Sequence, residues 1–260
     1  MQLDLIRQSL TDLPIPEIRY FDTIGSTNDE ALAWAETGTK DGTLVIADQQ
    51  TKGRGRLGRS WVTNPGAALA FSIILRPTAE EIEHLTLFSP LAGLAVCLTL
   101  QSMHLPAEIK WPNDVLLARR KTCGILAESA WQGEELQAVV IGIGINVAPS
   151  SVPPDAEVLF PATCVEEHLE EPVDRLKLLR SVLISFFEWR QHIGSAGFIQ
   201  AWESRLAFKG EMVTLKNSGG QGFSGILSGI DALGNLLMQQ EDGSQKLVSV
   251  GDVHLRPING

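Results

Sequence analysis

The chain has 260 residues, of which 44% are apolar, 20% charged and 6% aromatic. This length and composition support one large core or two smaller ones, and they exclude a disordered segment or a disulfide-rich miniprotein. A net charge of −10 is the opposite of the basic surface typical of nucleic-acid-binding proteins, so we expect no nucleic-acid partner.

The cellular compartment is indicated by the apolar segments and the cysteines. The longest apolar segment, 85–105, is interrupted by Thr, Ser, Pro, Gln and His, so it predicts a buried helix rather than a membrane span. No secretory signal opens the chain, and the three cysteines have no CxxC spacing. We therefore expect a cytoplasmic protein that makes no membrane contact.

The first two thirds of the chain alternate between strand and helix patterns. Short apolar or alternating runs bounded by Gly, Pro, Asp and Asn predict strands, which cover 43–48, 68–75, 123–129 and 137–146. Thr27 and Glu30 have the spacing of a capping box, so a helix is expected to begin near Thr27. Apolar residues at helical spacing predict two longer helices, 85–104 and 175–193.

The pattern changes towards the C-terminus. The segment 149–161 is rich in Pro and Ser and predicts a surface loop, after which the chain is helical in pattern to about residue 206. From residue 210, four β-rich runs alternate with Gly, Ser and Asp turns at intervals of roughly ten residues. We therefore predict an α+β domain over 1–207 and a small β-domain over 208–260.

A glycine- and arginine-rich segment, GRGRLGR at 53–59, follows the first predicted strand. It matches the spacing of a dinucleotide-binding fingerprint, but that motif needs a helix at its last glycine, and Pro65 forces a turn soon after Gly58. Glycines allow a close backbone approach, and guanidinium groups bind carboxylate or phosphate. The segment therefore predicts a site for an oxyanion, with a solvated basic turn as the alternative.

Two further features point to a pocket. In KWPND at 110–114, the Trp-Pro step keeps the backbone out of a helix and would hold the polar residues in a defined relation, although an ordinary turn between two strands explains the segment equally well. Gly124, Gly142 and Gly144 lie inside predicted strands, where glycine costs stability. Together they predict a pocket floor rather than a bulge in a twisted sheet.

In this order, the motifs resemble those of the biotin–protein ligases, also called biotin–[acetyl-CoA carboxylase] ligases. The resemblance covers about 20–147, and the C-terminal β-domain is similar to the family's SH3-like cap. It implies an α+β fold with a mixed, mainly antiparallel sheet and helices, like that of class II synthetases, plus a small SH3-like β-barrel. The five matching segments are STN at 26–28, Gln50 with GRGRLGRSW at 53–61, KWPND at 110–114, GILAE at 124–128 and GIGIN at 142–146.

The resemblance also implies a reaction. Biotin is activated with ATP to biotinyl-5′-adenylate, and the biotinyl group is then transferred to a lysine of a biotin carboxyl carrier protein, such as a subunit of acetyl-CoA carboxylase. Because a carboxylate must approach a triphosphate, such a site needs concentrated positive charge and little covalent machinery. The residues that the resemblance assigns to catalysis are Arg54, Arg56 and Lys110.

Binding roles follow from the same resemblance. Neutral donors and acceptors suit the ureido ring of biotin, an aromatic ring can pack on adenine, and oxygen ligands suit Mg²⁺. The expected biotin contacts are Ser26, Thr27, Asn28, Gln50, Gly53, Arg54, Gly55, Arg56, Lys110 and Gly124. The expected ATP contacts are Arg54, Arg56, Trp61, Lys110, Asn113 and Asn146, with Trp61 and Asn146 on the adenine side. Asn113 and Asp114 are expected to help position Mg²⁺.

Some members of the family carry an N-terminal DNA-binding domain. Here 25 residues precede Ser26, so we expect a ligase without that domain, either a monomer or a homodimer. Lys52 and Leu57 depart from the expected pattern, in which those positions are small and basic. The alternatives are a lipoate–protein or octanoate–protein ligase, a non-catalytic biotin sensor or repressor, and a nucleotide-dependent oxidoreductase.

Overall fold

The computed structural model describes residues 1–61, 63–154, 160–217, 222–249 and 253–257. Its helices are α1 (Leu3–Ser9), α2 (Thr27–Ala35), α3 (Ala79–Ile82), α4 (Phe88–Ser102), α5 (Val165–Leu169), α6 (Arg175–Arg190) and α7 (Ala196–Glu203). Its strands are β1 (Ile18–Ile24), β2 (Thr43–Gln50), β3 (Ala68–Leu75), β4 (Ala107–Lys110), β5 (Asp114–Leu117), β6 (Arg120–Gln132), β7 (Glu135–Asn146), β8 (Met212–Asn217), β9 (Gly222–Ile230), β10 (Leu236–Gln239), β11 (Gln245–Val248) and β12 (Val253–Pro257).

A seven-stranded sheet forms the body of the protein, in the order β1-β2-β3-β7-β6-β5-β4. Only the β1–β2 pair among these neighbours is parallel, and the other pairs are antiparallel. The predicted α+β class and mainly antiparallel sheet are therefore confirmed. The strand predicted at 68–75 is β3, whereas β6 and β7 extend past their predicted ends into a long hairpin.

Strand alternation divides the sheet into two faces with different partners. Odd-numbered residues of β3 and β7, together with Cys123 and Ile125 of β6, point into the large core under α4 and α6, while even-numbered residues such as Ile74 and Val140 point to the face that α2 partly covers. A register shift in the β5–β6 pairing brings Lys121 to the second face as well. The segment Leu85–Ser102 is long and apolar enough to pass for a membrane span, but 67% of it is buried inside the protein. It is a core helix, as predicted.

The three predicted helices differ from the structure in their details. Helix α4 is shorter than the predicted 85–104, because Leu85–Leu87 form a separate 3₁₀ turn before it and it ends at Ser102. Helix α2 begins at Thr27 as expected, but the capping group is Ser26, whose hydroxyl accepts from the backbone N–H of Asp29 at 3.4 Å. The predicted Thr27–Glu30 capping box is therefore wrong by one residue. Helix α6 ends at Arg190, because residues 191–194 form turns that end at Gly194, which has a φ of 79°.

The C-terminal strands form a second antiparallel sheet in the order β11-β10-β9-β8-β12. The predicted small β-domain is confirmed, with β12 as a fifth strand that the sequence prediction omitted. Buried residues of this sheet, such as Leu215 and Leu227, belong to the same core cluster as the large sheet. The division between 207 and 208 stays a prediction. The predicted loop at 149–161 begins with a 3₁₀ turn at Pro149–Ser151, and 155–159 lie outside the described residues.

Candidate functional site

A cavity of about 110 Å³ opens on the face of the large sheet that carries α2. Helix α2 covers β2, β3 and one end of β7 on this face, and the segment 50–61 folds over the remainder. The cavity is lined by Ser26, Thr27, Asn28, Gln50, Arg54, Gly55, Arg56, Arg59, Ser60, Trp61, Lys110, Trp111, Pro112, Asn113, Asp114, Lys121, Gly124, Ile125, Leu126, Gly142, Ile143 and Gly144. Four stretches of the chain, within 26–28, 50–61, 110–126 and 142–144, therefore meet at one site.

One end of the cavity is built from neutral polar groups at the start of α2. Ser26, Thr27 and Asn28 are each less than 5% exposed. Gln50, at the end of β2, accepts through Oε1 from the backbone N–H of Thr27 at 2.8 Å and from its hydroxyl at 3.0 Å. The predicted set of neutral groups is thus brought together, with Gln50 held in place by the first turn of the helix.

Asn28 is bound on every side by the protein. Its Nδ2 donates to the carbonyl of Leu126 at 3.2 Å and to Glu128 Oε2 at 2.8 Å, and its Oδ1 accepts from the hydroxyl of Ser72 at 2.6 Å. A Cβ at Gly142 would lie within 3.0 Å of this side chain, which is why β7 has a glycine there. The structure therefore holds the Asn28 amide in one orientation.

Arg54, at the base of the Gly-Arg segment, is paired with carboxylates of the protein itself. Its Nη1 and Nη2 donate to Glu128 at 2.9 Å each, and Nη2 also donates to Asp29 at 2.6 Å. The bonds to Glu128 are the main cause that raises the pKa of Arg54. The sequence argument that this cation requires an external anion is therefore weakened, because Asp29 and Glu128 supply the negative charge.

Arg56 reaches across the cavity to the turn between β4 and β5. Its Nη1 donates to Asn113 Oδ1 at 3.2 Å, and Asn113 Nδ2 donates to the carbonyl of Ile125 at 2.7 Å. The segment 110–114 is a turn between two strands and also a wall of the cavity. Both interpretations of that motif are therefore correct.

Two lysines share one buried carboxylate at this end. Asp114 lies 3.2 Å from Lys110 Nζ through Oδ2 and 2.6 Å from Lys121 Nζ through Oδ1. Burial alone would raise the pKa of Asp114, but the two ammonium groups outweigh it and lower that pKa to about 2. Asp114 is therefore a carboxylate at neutral pH, and it holds two cations side by side.

Lys121 is a charged lining residue that was not among the predicted site residues. It lies on β6, where Asp114 pairs with Gly124, and its ammonium group lies 5.5 Å from the ring centroid of Trp61. The available signal was a lysine three residues before the glycine of GILAE. Only the strand register shows that this lysine reaches the carboxylate of KWPND.

The predicted magnesium ligands do not fit a cation. Both carboxylate oxygens of Asp114 accept from ammonium groups, and Asn113 Oδ1 accepts from a guanidinium group. Among the described residues, no group of three or more His, Cys, Asp or Glu could hold a metal ion. Positively charged donors occupy the oxygens that a metal would need.

The aromatic side chain of Trp61 rests on the glycines of the sheet. A Cβ at Gly124 would lie 2.8 Å from the indole, and a Cβ at Gly144 would also lie within 3.0 Å of it. Within the described residues, the indole Nε1 is buried without a hydrogen-bond partner. The glycines thus form a pocket floor, as predicted, and the group in contact with that floor is Trp61.

Gly53 and Asn146 are not among the described residues that line the cavity. A Cβ at Gly53 would lie 2.5 Å from the carbonyl oxygen of Trp61, so this glycine permits the two ends of the segment to approach. Asn146 is 3% exposed, and its Nδ2 donates to the carbonyl of Thr163 at 3.1 Å. Neither residue meets the cavity in the structure, whereas the other predicted site residues line it.

The C-terminal sheet contacts the site through Trp111, which lies in the turn between β4 and β5. Trp111, 1% exposed, donates through Nε1 to the carbonyl of Gly234 at 3.0 Å, in the turn between β9 and β10. This bond joins the KWPND turn to the C-terminal sheet. The contribution of that sheet is thus to hold a wall of the cavity in place.

The three cysteines are unsuited to nucleophilic chemistry. Cys97, Cys123 and Cys164 are free and buried. Burial raises the pKa of Cys97 to about 12 and also raises that of the other two. Their thiols therefore remain protonated, and the site depends on positioned charges and hydrogen bonds.

Comparison with known families assigns both parts of the chain. A sequence profile of the biotin/lipoate A/B protein ligase family matches residues 20–146, and a profile of the biotin protein ligase C-terminal domain matches residues 209–256. The first match spans the large sheet up to the end of β7. The second falls on the C-terminal sheet.

Individual relatives agree with these matches. The chain is 35% identical to the bifunctional ligase/repressor BirA of Bacillus spizizenii over 91% of this chain and 73% of the relative. It is 36% identical to a biotin–[acetyl-CoA-carboxylase] ligase of Paracoccus denitrificans over 85% of this chain and 93% of the relative. Among solved structures, a biotin protein ligase of Aquifex aeolicus in complex with biotin and ATP is similar, with a TM-score of 0.81 and 31% identity, covering 94% of this chain and 100% of that one.

Proposed function

The chain belongs to the biotin/lipoate A/B protein ligase family, and we propose that it activates biotin with ATP to biotinyl-5′-adenylate and transfers the biotinyl group to a lysine of a biotin carboxyl carrier protein. One observation carries this proposal. A single cavity has buried neutral hydrogen-bonding groups at one end and a cluster of cations at the other. The relatives named as ligases of acetyl-CoA carboxylase suggest a carboxylase subunit as the carrier.

The first step joins two anions, so the cationic end is its natural place. The carboxylate of biotin attacks the α-phosphate of ATP, and pyrophosphate leaves. Lys110 and Lys121 are held beside one carboxylate, and Arg56 of the Gly-Arg segment is held by its hydrogen bond to Asn113. Because Lys110 and Asp114 are less than 10% exposed, charge–charge interactions there are stronger than in water.

We assign a substrate-contacting role to Lys121 beside the predicted Lys110 and Arg56. Positive charge that is already positioned lowers the repulsion between carboxylate and phosphate without reorganisation at the moment of reaction. In the second step the acceptor lysine attacks the mixed anhydride and releases AMP. The chain then needs only to keep water away and leave the carbonyl accessible.

The neutral end suits the ureido ring. Ser26, Thr27 and Gln50 present hydroxyl and amide groups at the end of the cavity that Leu126 also lines. A ureido group needs both donors and acceptors, and burial makes each hydrogen bond selective. We propose that the adenine of ATP binds beside Trp61. The indole would have to move away from Gly124 and Gly144 wherever the ligand occupies that space.

The cytoplasm is the proposed location, since three buried, unpaired thiols suit a reducing compartment. Magnesium binding by Asn113 and Asp114 stays a prediction that their observed partners argue against. Oligomeric state and the expected lack of nucleic-acid binding also stay predictions.

The decisive test is exchange of labelled pyrophosphate into ATP with biotin, lipoate or octanoate as the acid. A biotin carboxyl carrier fragment then serves as acceptor, with a control fragment whose acceptor lysine is replaced by arginine. The proposal is supported if exchange occurs with biotin alone and if biotin is then attached to the first fragment but not to the control fragment. Exchange with lipoate or octanoate would place the chain in the sister activity, and biotin binding without exchange would indicate a sensor.

A further inference from the structure

Glu128 is a half-buried carboxylate on β6 that joins two parts of the site. It accepts from both terminal nitrogens of Arg54 at 2.9 Å and, through Oε2, from Asn28 Nδ2 at 2.8 Å. Its side chain is 25% exposed, on the same face of the sheet as Gly124. One carboxylate therefore contacts both the base of the Gly-Arg segment and the neutral end of the cavity.

On the neutral side, Glu128 fixes which way the Asn28 amide points. The opposite edge of that amide accepts from Ser72, whose hydroxyl also lies 2.8 Å from the hydroxyl of Thr27. The backbone N–H of Thr27 donates to Gln50 Oε1 at 2.8 Å, so the hydroxyl proton of Thr27 is available for the oxygen of Ser72. A continuous hydrogen-bonded chain thus runs from Glu128 to the groups proposed to bind the ureido ring.

Through Arg54, Glu128 also anchors the Gly-Arg segment that covers the cavity. Arg54 pairs with Ser60 in an isolated antiparallel bridge, and the N–H of Gly55 donates to the carbonyl of Arg59 at 2.7 Å. The segment is thus a small closed loop whose base is Arg54. Its anchors on the body are Glu128 on β6 and Asp29 on α2.

We propose that Glu128 is a positioning residue that couples closure of the Gly-Arg loop (residues 53–59) to the orientation of the groups that bind biotin. This inference rests on the proposed function and extends it. Glu128 has no part in the adenylation chemistry. It lowers the cost of binding biotin and keeps biotinyl-adenylate in place by holding the loop closed and the Asn28 amide oriented.

The substitution Glu128→Gln tests this coupling. Both neighbours of the carboxylate are donors, whereas a glutamine amide offers one acceptor and one donor. In either orientation of the glutamine amide, its NH₂ group faces an N–H donor of Arg54 or of Asn28. We expect about a tenfold higher KM for biotin and about tenfold faster loss of biotinyl-adenylate, with the KM for ATP little changed.

Three further variants make the result specific. Glu128→Asp keeps both acceptors on a shorter side chain and is expected to restore part of the biotin affinity. Asp29→Asn loosens the loop without touching Asn28, so it is expected to speed adenylate loss more than it raises the KM for biotin. Glu135→Gln removes a charge from the exposed end of the same hairpin and is the matched control.

A readout without substrates separates this inference from the proposed function. Limited trypsin digestion of the ligand-free protein reports opening of the Gly-Arg loop, and Glu128→Gln should be cut there faster than wild type or Glu135→Gln. Equal cutting and an unchanged KM for biotin would overturn the proposal, as would equal rises in the KM values for biotin and ATP. A wild-type protein without biotin-dependent exchange would refute the ligase function, but it would leave the digestion result interpretable.

Discussion

Replacing the carboxylate that two lysines share should destabilise the folded protein by a magnitude that follows from its pKa. Folding lowers the pKa of Asp114 from 3.8 to about 2, because Lys121 and Lys110 outweigh the effect of burial. One pKa unit is worth about 1.4 kcal/mol, so the ionised form contributes about 2 kcal/mol relative to the neutral form. Asp114→Asn, which mimics the neutral form in shape, should lower the free energy of unfolding at pH 7 by about that amount.

The pH dependence gives the prediction its sign. A carboxylate whose pKa is lower in the folded state stabilises the protein above its unfolded pKa, here above about pH 4. The stabilisation is lost as the pH falls towards the folded value of about 2. The difference between wild type and Asp114→Asn should therefore be full at pH 7 and roughly halved at pH 3.

Chemical denaturation at several pH values measures both quantities. At neutral pH the variant should also melt about 4–8 °C lower. Asp12 is the matched control, since the Arg180 hydrogen bond holds its pKa at about 2 as well, but Asp12 is exposed. Asp12→Asn should change stability far less, because solvent screens that pair. An Asp114→Asn protein as stable as wild type, or a difference that stays constant down to pH 3, would refute the reasoning.

Three further substitutions test the site. Lys121→Gln removes a positioned cation and should slow biotin-dependent pyrophosphate exchange by about a hundredfold, and wild-type exchange would disprove its role in catalysis. Gly144→Ala places a methyl group where the Trp61 indole lies, so we expect the folded variant to have a changed tryptophan fluorescence and a raised KM for ATP. An unchanged fluorescence spectrum would contradict that contact. Trp111→Phe leaves the Gly234 carbonyl unpaired and should cost about 1–3 kcal/mol of unfolding free energy, whereas wild-type stability would argue against the link between the sheets.

The sequence predicts best where one local pattern decides the outcome. The run at 68–75 is apolar and is bounded by turn residues, and its predicted ends are those of β3. The β6–β7 hairpin was predicted too short because its end, around Gly133, is polar and exposed, so only cross-strand pairing reveals the strand there. Strand β12 pairs with β8 from the far end of the chain, which local patterns do not show.

The same distinction holds within the site. Motif residues such as Gln50 and Lys110 were predicted from the segments that contain them, and they line the cavity. Ser72, Lys121 and Glu128 were missed because their roles depend on partners brought close by strand register and by the packing of α2. For Ser72 the local signal was a serine inside the otherwise apolar run of β3, since a buried hydroxyl needs a partner.

The distribution of charge around the cavity favours anions at one particular end of it, although the protein as a whole is acidic. In the cluster of Arg54, Asp29 and Glu128, two carboxylates surround one guanidinium group. In the cluster of Asp114, Lys110 and Lys121, two ammonium groups surround one carboxylate. An approaching carboxylate or phosphate is therefore repelled by the first cluster and attracted by the second. This polarity favours the reacting groups at the lysines and the uncharged ureido ring near α2, while the catalytic role of Arg54 stays a prediction.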